Sequence, residues 1–174
     1  MSTVGERLVS EYFDRLHGYV RTRVPEQDCE DVVGEIFLRA VERQGQLRGD
    51  SAAWLFAIAR SRVAEFYRKR ELIMQTEGLS LSAAPRGQPH GLAGGAAAVA
   101  ALAPLEQLEQ DEFRDRLQRK LEQLPEIERE VIALKFTAGL SNTQIAEILK
   151  ITPNHLGVVL HRALKKLKEG MSEY

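Results

Sequence analysis

Apolar residues recur every three or four positions along most of the chain, and no segment alternates apolar and polar residues for long. Such spacing puts the apolar side chains on one face of a helix, so it predicts an all-helical protein. Three helices are expected in the N-terminal part, the first ending near Pro25 because proline disfavours helix in the residue before it. Their apolar stripes run from Leu8 to Val20, from Cys29 to Val41, and from Leu55 to Phe66 in a helix spanning about Ala52 to Arg70.

Four more helices are expected near the C-terminal end. Pro125 and Pro153 each suit a first helical turn, where a missing N–H costs nothing, and Gly139 suits a helix end. Ser141 followed by Gln144 has the pattern of a capping box, and Thr152 can cap the last helix. The predicted ranges are Glu109 to Gln123, Pro125 to Ala138, Asn142 to Leu149, and Pro153 to about Glu169.

The composition changes between residues 73 and 107, where Gly, Ala, Ser and Pro dominate and charged residues are nearly absent. This composition is typical of a flexible linker. The alternative is that the stretch AAAVAALA within it forms a core helix. We therefore predict two small helical domains, residues 1–72 and 108–174, joined by a flexible linker over 73–107.

The overall composition limits the class of protein. The 174 residues are 44 % hydrophobic and 28 % charged, as in ordinary globular proteins. No apolar run reaches the roughly 18 residues of a membrane-spanning helix, and the N-terminus lacks a basic start followed by an apolar core. We therefore expect a cytoplasmic protein without membrane insertion. The single cysteine, Cys29, lacks a disulfide partner and metal-ligand spacing, so we expect a core residue, and we expect no metal or cofactor.

Charge is unevenly distributed although the net charge is only −1. Residues 26–35 contain acids but no Lys or Arg, whereas residues 150–168 contain cations but no acid. A second basic cluster lies between residues 60 and 70, where Glu65 is the single acid. One acidic and two basic patches predict at least two kinds of partner.

The segment from Ser141 to Leu167 has the pattern of two short helices around a tight turn. Turning the second helix on a wheel with Leu160 inward separates an apolar face from a polar one. Gly157 falls near the edge of the apolar face, where it is expected to let the preceding helix approach closely. The expected buried stripe is Leu156, Leu160, Ala163, Leu164 and Leu167.

The opposite face of this helix suits the major groove of DNA. Val158 offers an apolar contact to a thymine methyl, Asn154 can pair with an adenine edge, and Arg162 with guanine or phosphate. The alternative is a helical hairpin whose basic face is merely solvated. The candidate DNA-contacting residues here are Asn154, His155, Val158, Arg162, Lys165 and Lys166.

Two parts of the chain resemble bacterial sigma factors of the extracytoplasmic-function type. The stretch LEQLPEIEREVIALKFTAGLSNTQIAEILKITPNHLGVVLHRALKKLKE resembles their fourth conserved region, which contains a helix-turn-helix. DCEDVVGEIFLRAVE and SAAWLFAIARSRVAEFYRKRE resemble their second region. The two matches occur in the family's order and cover roughly residues 8–72 and 108–170. The resemblance implies a protein that binds core RNA polymerase, recognises the minus-10 and minus-35 promoter elements, and assists strand opening.

The resemblance also implies roles for the first domain. The face of the second helix opposite its core is acidic around an exposed leucine, and in the family this helix docks on the clamp helices of the largest polymerase subunit. The alternative is a solvated acidic face. Candidate polymerase-binding residues are Asp31, Glu35, Leu38 and Glu42.

The minus-10 element is expected to contact the loop QLRGDSAA and the third helix. In the family this loop captures a base flipped out of the non-template strand, and cations on the helix bind phosphate. Trp54 can be a stacking platform, although a core position is favoured. Candidate residues are Arg48, Asp50 and Ser51 in the loop, and Arg60, Arg62, Arg68 and Lys69 in the helix, with Arg70 beside them.

The recognition helix departs from the family pattern. Gly157 and Val159 stand where many relatives carry a cation, so fewer phosphate contacts and a shallower salt dependence are expected. A dedicated anti-sigma protein, common in the family, is an expected partner that competes for the face around Leu38.

Other classes of protein fit the sequence less well. A stand-alone helix-turn-helix regulator remains the main alternative, since it would bind promoter DNA without polymerase, usually as a dimer. A helical adaptor is a second. An enzyme is disfavoured because the histidines have no nucleophile–base or metal-ligand pattern and no phosphate loop follows a strand.

Overall fold

The computed structural model describes residues 4–76 and 104–172, with side chains from Gly5 to Thr76 and from Glu112 to Ser172. The chain divides into two compact units, residues 1–88 and 89–174. Within the described ranges all regular structure is helical, which confirms the all-α prediction, and none of these helices has the length and apolar character to cross a bilayer. The helices are α1 (Val4–Arg21), α2 (Glu26–Glu42) and α3 (Ser51–Thr76) in the first unit, and α4 (Pro104–Glu122), α5 (Glu126–Ile132), α6 (Asn142–Leu149) and α7 (Pro153–Ser172) in the second.

The first unit is a bundle of α1, α2 and α3, each of which packs against the other two. Its centre is formed by Leu16, Tyr19, Ile36, Leu55 and Phe56, all of them fully buried. The rings of Tyr19 and Phe56 meet edge to face with centroids 5.7 Å apart, a favoured aromatic geometry. Burying each such side chain contributes about 1.5–3 kcal/mol relative to leaving it exposed, so these residues hold the three helices together.

Part of each predicted apolar stripe lies outside the core. Val9 and Phe13 on α1 and Val41 on α2 are exposed, contrary to the prediction that they belong to the buried stripes. A bundle of only three helices covers a narrower strip of each helix than the sequence stripe spans. The exposed Phe13 ring instead stacks on the buried ring of Phe37, with centroids 6.3 Å apart.

Cys29 is a core residue, as predicted. Its side chain is buried, and its Sγ lies 3.9 Å from the carbonyl oxygen of His17. Burial raises the pKa of its thiol, because the thiolate would lose hydration there. The thiol therefore stays protonated and serves packing.

The ends of two helices differ from those predicted. Helix α3 continues past Arg70 to Thr76, and α4 begins at Pro104, before the predicted start at Glu109. Good helix formers such as Leu72 and Met74 extend α3 beyond its last buried turn. Most of the predicted linker, including the stretch AAAVAALA, lies outside the described residues.

The second unit packs α4, α5 and α6 around α7. Four side chains at its centre are fully or almost fully buried: Leu134, Leu140, Ile145 and Leu156. A neighbouring cluster joins α4, α5 and α7 through Leu121, Leu124, Ile132 and Ala163.

The chain after α5 is wound more loosely than the sequence predicts. In place of a continuous helix from Pro125 to Ala138, a π-helical turn, Ala133–Thr137, follows α5, and the N–H of Ala138 donates to the carbonyl of Ala133 at 2.9 Å. Pro125 lies at the N-cap position, just before α5, and not in the first helical turn as predicted. The wider turn keeps Leu134 buried while Phe136 faces solvent.

A capping box begins α6, as the sequence predicts. The N–H of Gln144 donates to the Ser141 hydroxyl at 3.2 Å, and the Gln144 side chain accepts from the N–H of Ser141 at 2.8 Å. Ser141→Ala should lower the free energy of unfolding of the second unit by about 1 kcal/mol. Urea unfolding followed by circular dichroism measures this loss. Fluorescence of Trp54, which lies in the first unit, should show an unchanged midpoint; a shift there, or no loss by circular dichroism, contradicts the prediction.

Candidate nucleic-acid and protein interfaces

One face of α2 presents acids around an apolar side chain. Asp31, Glu35, Leu38 and Glu42 are all exposed, at the helical spacing that places them together opposite the buried face. Leu38 is 61 % exposed, whereas the adjacent Ile36 and Phe37 are buried. We call these four residues the acidic α2 face. Their exposure agrees with the sequence prediction.

Ion pairs join the acidic α2 face to α3. The guanidinium of Arg62 binds the carboxylates of Glu35 on α2 and Glu65 on its own helix. Arg39 on α2 donates to both oxygens of Glu65, at 3.0 and 3.2 Å. We call Glu35, Arg39, Arg62 and Glu65 the α2–α3 ion-pair cluster. Arg62, predicted to bind phosphate, is not a free cation in this structure, since its side chain is only 18 % exposed and is held by two carboxylates. Its contact with DNA stays a prediction.

Glu65 is the acid at the centre of this cluster. Desolvation by burial acts to raise the pKa of Glu65, but the hydrogen bonds from Arg39 and Arg62 and their charges outweigh it, so the pKa is lowered from its ordinary value of 4.5. The folded state therefore favours the ionised carboxylate. The ionised Glu65 carboxylate therefore stabilises the folded state above about pH 4.5, and this stabilisation is lost as the pH falls through the lowered pKa.

The stability of the first unit should accordingly depend on Glu65 in a pH-dependent way. The free energy of unfolding lost in Glu65→Gln should be greatest near neutral pH and should shrink as the pH falls below about 4.5, because the wild-type carboxylate then becomes protonated. Trp54 fluorescence in urea titrations measures it. Glu71→Gln, at an exposed position on the same helix, is the control, and an equal loss in Glu65→Gln at all pH values would contradict the assignment.

The loop before α3 is shaped by its own hydrogen bonds. Gly49 has a φ of 80°, which favours glycine, and the Asp50 carboxylate caps α3 by accepting from the N–H of Ala53 at 2.7 Å. The Ser51 hydroxyl lies 2.9 Å from the Tyr12 hydroxyl. Two of the three predicted base-contacting residues, Asp50 and Ser51, thus have structural partners, and both Arg48 and Asp50 are exposed.

The remaining cations of α3 lie at its surface. Arg60, Arg68 and Lys69 are exposed, as the phosphate-binding prediction requires. Arg70 lies 3.6 Å from a carboxylate oxygen of Asp28. Trp54 at the start of α3 is half-buried. This degree of burial fits neither a fully buried core residue nor a fully exposed stacking platform.

Helices α6 and α7 form the predicted helix-turn-helix. Lys150 at the end of α6 adopts a left-handed φ of 54°, uncommon for a residue with a side chain, and turns the chain toward α7. The N–H of Ile151 then returns to the carbonyl of Ala146 at 3.1 Å. Thr152 caps α7 as predicted, since its hydroxyl accepts from the N–H of His155 at 3.2 Å. The turn and this cap together fix the direction of α7.

The buried face of α7 is rotated from the predicted one. Leu156, Val159 and Ala163 are buried, whereas Leu160 is half-buried and Leu164 is exposed. Packing against α5 and α6 as well as α4 selects this face. The prediction that Leu160 and Leu164 lie in the buried stripe is therefore wrong for Leu164 and only partly right for Leu160.

Because the buried face of α7 differs from the predicted one, Gly157 and Val159, the two departures from the family pattern, have different surroundings from those expected. Gly157 is exposed, and no neighbouring helix or side chain comes within 4 Å of the point where a Cβ would stand, so it does not serve a close helix approach as predicted. Val159 lies in the core, where a cation would not face a phosphate. The expectation of fewer phosphate contacts therefore rests on Gly157 alone.

The exposed face of α7 centres on Asn154, Val158, His161 and Lys165, with Arg162 at its edge. The sequence prediction missed His161, because a wheel centred on Leu160 places this histidine near the boundary. His155 is exposed on the Val159 side. The signal that could have found His161 is its spacing of three and seven residues from Val158 and Asn154.

Lys166 does not lie free on this face. Its Nζ donates to both carboxylate oxygens of Glu128 on α5, at 2.8 and 2.9 Å, and Glu128 is only 8 % exposed. By contrast, Lys165 is well exposed and lies 3.8 Å from the carboxylate of Glu169. Lys166, predicted to contact DNA, is therefore a structural residue that ties α7 to α5.

Both units match models of one family. Residues 8–72 match the family described as Sigma-70 region 2, and residues 114–167 match Sigma-70, region 4. The chain is 31 % identical over 144 residues to the ECF RNA polymerase sigma-E factor of Escherichia coli strain K12, an alignment that covers 82 % of this chain and 73 % of that protein. The chain belongs to the ECF family of RNA polymerase sigma factors. It is an alternative sigma factor that acts in transcription initiation, as the resemblance implied.

Other relatives agree with this assignment. The sigma-E factor of Salmonella typhimurium strain LT2 gives the same identity and coverage. The RNA polymerase sigma factor SigF of Mycobacterium tuberculosis strain CDC 1551 is 40 % identical over 60 residues, which are 34 % of this sigma factor and 23 % of SigF.

Solved structures share the fold. The sigma factor RpoE of Bartonella quintana, in complex with the anti-sigma factor NepR, superposes with a TM-score of 0.68 at 20 % identity, covering 96 % of this chain and 95 % of that one. CnrH, in complex with the cytosolic domain of CnrY, gives a TM-score of 0.64 at 22 % identity, covering 95 % and 85 %. At these identities the likeness concerns the fold.

Proposed function

We propose that the two units of this sigma factor divide its work, the first binding core polymerase and the minus-10 element and the second binding the minus-35 element. The observation that carries the proposal is the pair of family matches, in order, on two separately packed units. The first unit exposes an acidic surface on α2 and a basic surface on α3, and the second exposes a basic surface on α7. Residues 1–72 and 108–174 are the proposed limits of the two functional domains.

The acidic α2 face is the proposed docking surface for the clamp helices of the largest polymerase subunit. An exposed leucine surrounded by carboxylates fits a partner that is basic and partly apolar, because burying the leucine supplies affinity while the charges orient the partner. The exposure of Leu38 supports this assignment. The same face is the proposed target of an anti-sigma protein, which would compete with polymerase there; the solved relatives RpoE and CnrH were determined with NepR and CnrY bound.

The proposed minus-10 surface consists of the loop before α3 and the cations of that helix. Arg48 is the exposed loop residue available for a base edge, while Asp50 and Ser51 act mainly by fixing the loop. Arg60, Arg68 and Lys69 are the proposed phosphate contacts. A protein that binds promoter DNA and polymerase works in the cytoplasm, and this is the proposed location.

The proposed minus-35 surface is the exposed face of α7. Asn154 and Val158 near its N-terminus suit base edges and a thymine methyl, and His161, Arg162 and Lys165 suit bases or phosphates. Lys166 is removed from this set because Glu128 holds it.

Arg162→Ala tests this surface. The variant should bind promoter DNA about tenfold more weakly as holoenzyme, because a base or phosphate contact worth roughly 1–3 kcal/mol is lost. Its affinity for core polymerase should stay unchanged. Fluorescence anisotropy with labelled promoter, and with labelled sigma factor and core enzyme, measures both. Loss of both affinities would indicate a folding defect, and loss of neither would exclude Arg162 from the surface.

A further inference from the structure

The α2–α3 ion-pair cluster connects two surfaces that have different proposed partners. Glu35 belongs to the acidic α2 face, and Arg62, 27 residues later in the sequence, belongs to the basic helix α3. The Arg62 side chain is 18 % exposed and its two terminal nitrogens face Glu65 and Glu35, so a bidentate contact with a phosphate requires the guanidinium to leave Glu35. Likewise Glu35 cannot bind a polymerase cation without weakening its bond to Arg62.

The remaining contacts of the cluster allow Arg62 to leave. Glu65 receives two hydrogen bonds from Arg39, at 3.0 and 3.2 Å, so its charge remains paired when Arg62 is withdrawn. The Nε–H of Arg62 is buried and has no hydrogen-bond acceptor among the described residues, so the guanidinium is not fully satisfied where it lies. Glu35 is 53 % exposed and therefore accessible to a partner.

We propose that Arg62 is a DNA-binding cation that is masked in the free sigma factor. Glu35 binds it there, and docking of Glu35 on core polymerase releases Arg62 to contact a promoter phosphate. This inference rests on the proposed docking of the acidic α2 face. It makes Arg62 a regulatory residue that couples binding of polymerase to binding of DNA by the first unit. Free sigma factor is thereby kept from using its full set of cations on unrelated DNA.

The free chain provides the first test, with a fluorescein-labelled duplex of random sequence as the probe. Glu35→Gln should bind it about three- to tenfold more tightly than wild type, and the slope of log affinity against log salt should steepen by about 0.9, the value of one added phosphate contact. Glu30→Gln, an exposed acid on the same helix, makes the same change in net charge and should gain less than about twofold with an unchanged slope.

The double variant shows whether Arg62 is the released cation. Glu35→Gln combined with Arg62→Gln should bind no more tightly than Arg62→Gln alone. If the gain persists in that background, or if Glu30→Gln gains as much as Glu35→Gln, the inference is overturned. Trp54 fluorescence in urea confirms that each variant is folded.

The holoenzyme provides the second test. Arg62→Gln should change DNA affinity less than about twofold in the free chain, but should weaken promoter binding about three- to tenfold in the holoenzyme and lower its salt slope by about 0.9. Equal effects in the two states overturn the coupling.

Core binding without DNA separates this inference from the proposed function. Glu35→Gln and Glu42→Gln should both bind core polymerase more weakly than wild type. If both bind normally, the docking surface is wrong, and the coupling fails with it. If both bind weakly and Arg62→Gln still acts equally in the free chain and the holoenzyme, only the coupling fails.

Discussion

Leu38→Glu should weaken binding of the sigma factor to core polymerase about thirtyfold. A side chain that is 61 % exposed in the free protein contributes little to its folding, so its burial by a partner would appear almost wholly as binding energy. Losing the burial of a leucine at the centre of an interface costs about 2 kcal/mol of binding free energy, which corresponds to an increase in Kd of about thirtyfold. The added carboxylate must also lose its hydration where the partner offers an apolar surface to Leu38. Fluorescence anisotropy with labelled sigma factor and purified core enzyme measures the affinity.

The chain offers a matched control for this variant. Leu72 on α3 is 63 % exposed and lies outside the acidic α2 face, so Leu72→Glu introduces the same change at a similar exposure. It should bind core polymerase within about twofold of wild type. Both variants should unfold with the wild-type midpoint, since substitutions at exposed sites cost about 0.5 kcal/mol or less. If the two variants weaken binding equally, the effect is one of general charge and the docking surface is misplaced.

Lys166→Ala should lower the free energy of unfolding of the second unit by about 2 kcal/mol. Removing the ammonium leaves the carboxylate of Glu128, which is only 8 % exposed, without its ion-pair partner, and breaking a buried pair in this way costs roughly 3–5 kcal/mol. The smaller figure applies because the lysine is itself 49 % exposed and the pair is partly screened by water. Urea unfolding followed by circular dichroism measures the loss.

Lys165→Ala is the natural comparison, because the two lysines are adjacent. Lys165 is 65 % exposed, and its 3.8 Å contact with Glu169 lies at the surface, so its removal should cost about 0.5 kcal/mol or less. The two variants should rank in the opposite order for DNA binding. Lys165→Ala should lower the slope of log affinity against log salt by about 0.9, the value of one lost phosphate contact. Lys166→Ala should leave this slope unchanged while the second unit is folded. Replacing Glu128 and Lys166 together by leucine should recover most of the lost stability. Equal stability of the two alanine variants would contradict the structural role of Lys166.

Periodicity is sufficient to predict which segments are helical, because the apolar repeat of a helix is a local property of the sequence. The limits of α6 and the caps at Ser141 and Thr152 follow from neighbouring residues only, and they agree with the structure. The face that α7 buries is a different kind of property. Val158 and Val159 are adjacent and equally apolar, yet one is exposed and the other is buried. The packing of the neighbouring helices determines which of the two valines is buried. A helical wheel drawn for α7 alone does not include those neighbours.

Long-range ion pairs set the second limit of the sequence prediction. The sequence places Arg62 and Lys166 among the DNA-contacting cations, although Glu65, three residues from Arg62, is a partner that helical spacing could have indicated. The partners that spacing does not indicate are Glu35 and Glu128, which lie 27 and 38 residues away on helices whose packing brings the charges together. A cation count therefore overestimates the basic surface of each unit. The acidic α2 face is easier to find, since its residues share one helix and their common exposure follows from spacing.

Run-off transcription with purified core polymerase, on a pool of DNA fragments taken from upstream of genes, tests the sigma-factor function most directly. We expect the chain to direct initiation from discrete start sites on a subset of the fragments, and we expect neither the chain nor core polymerase alone to do so. Binding of the chain to promoter DNA without polymerase, together with no start site in the combined reaction, would instead indicate a stand-alone regulator and contradict this function.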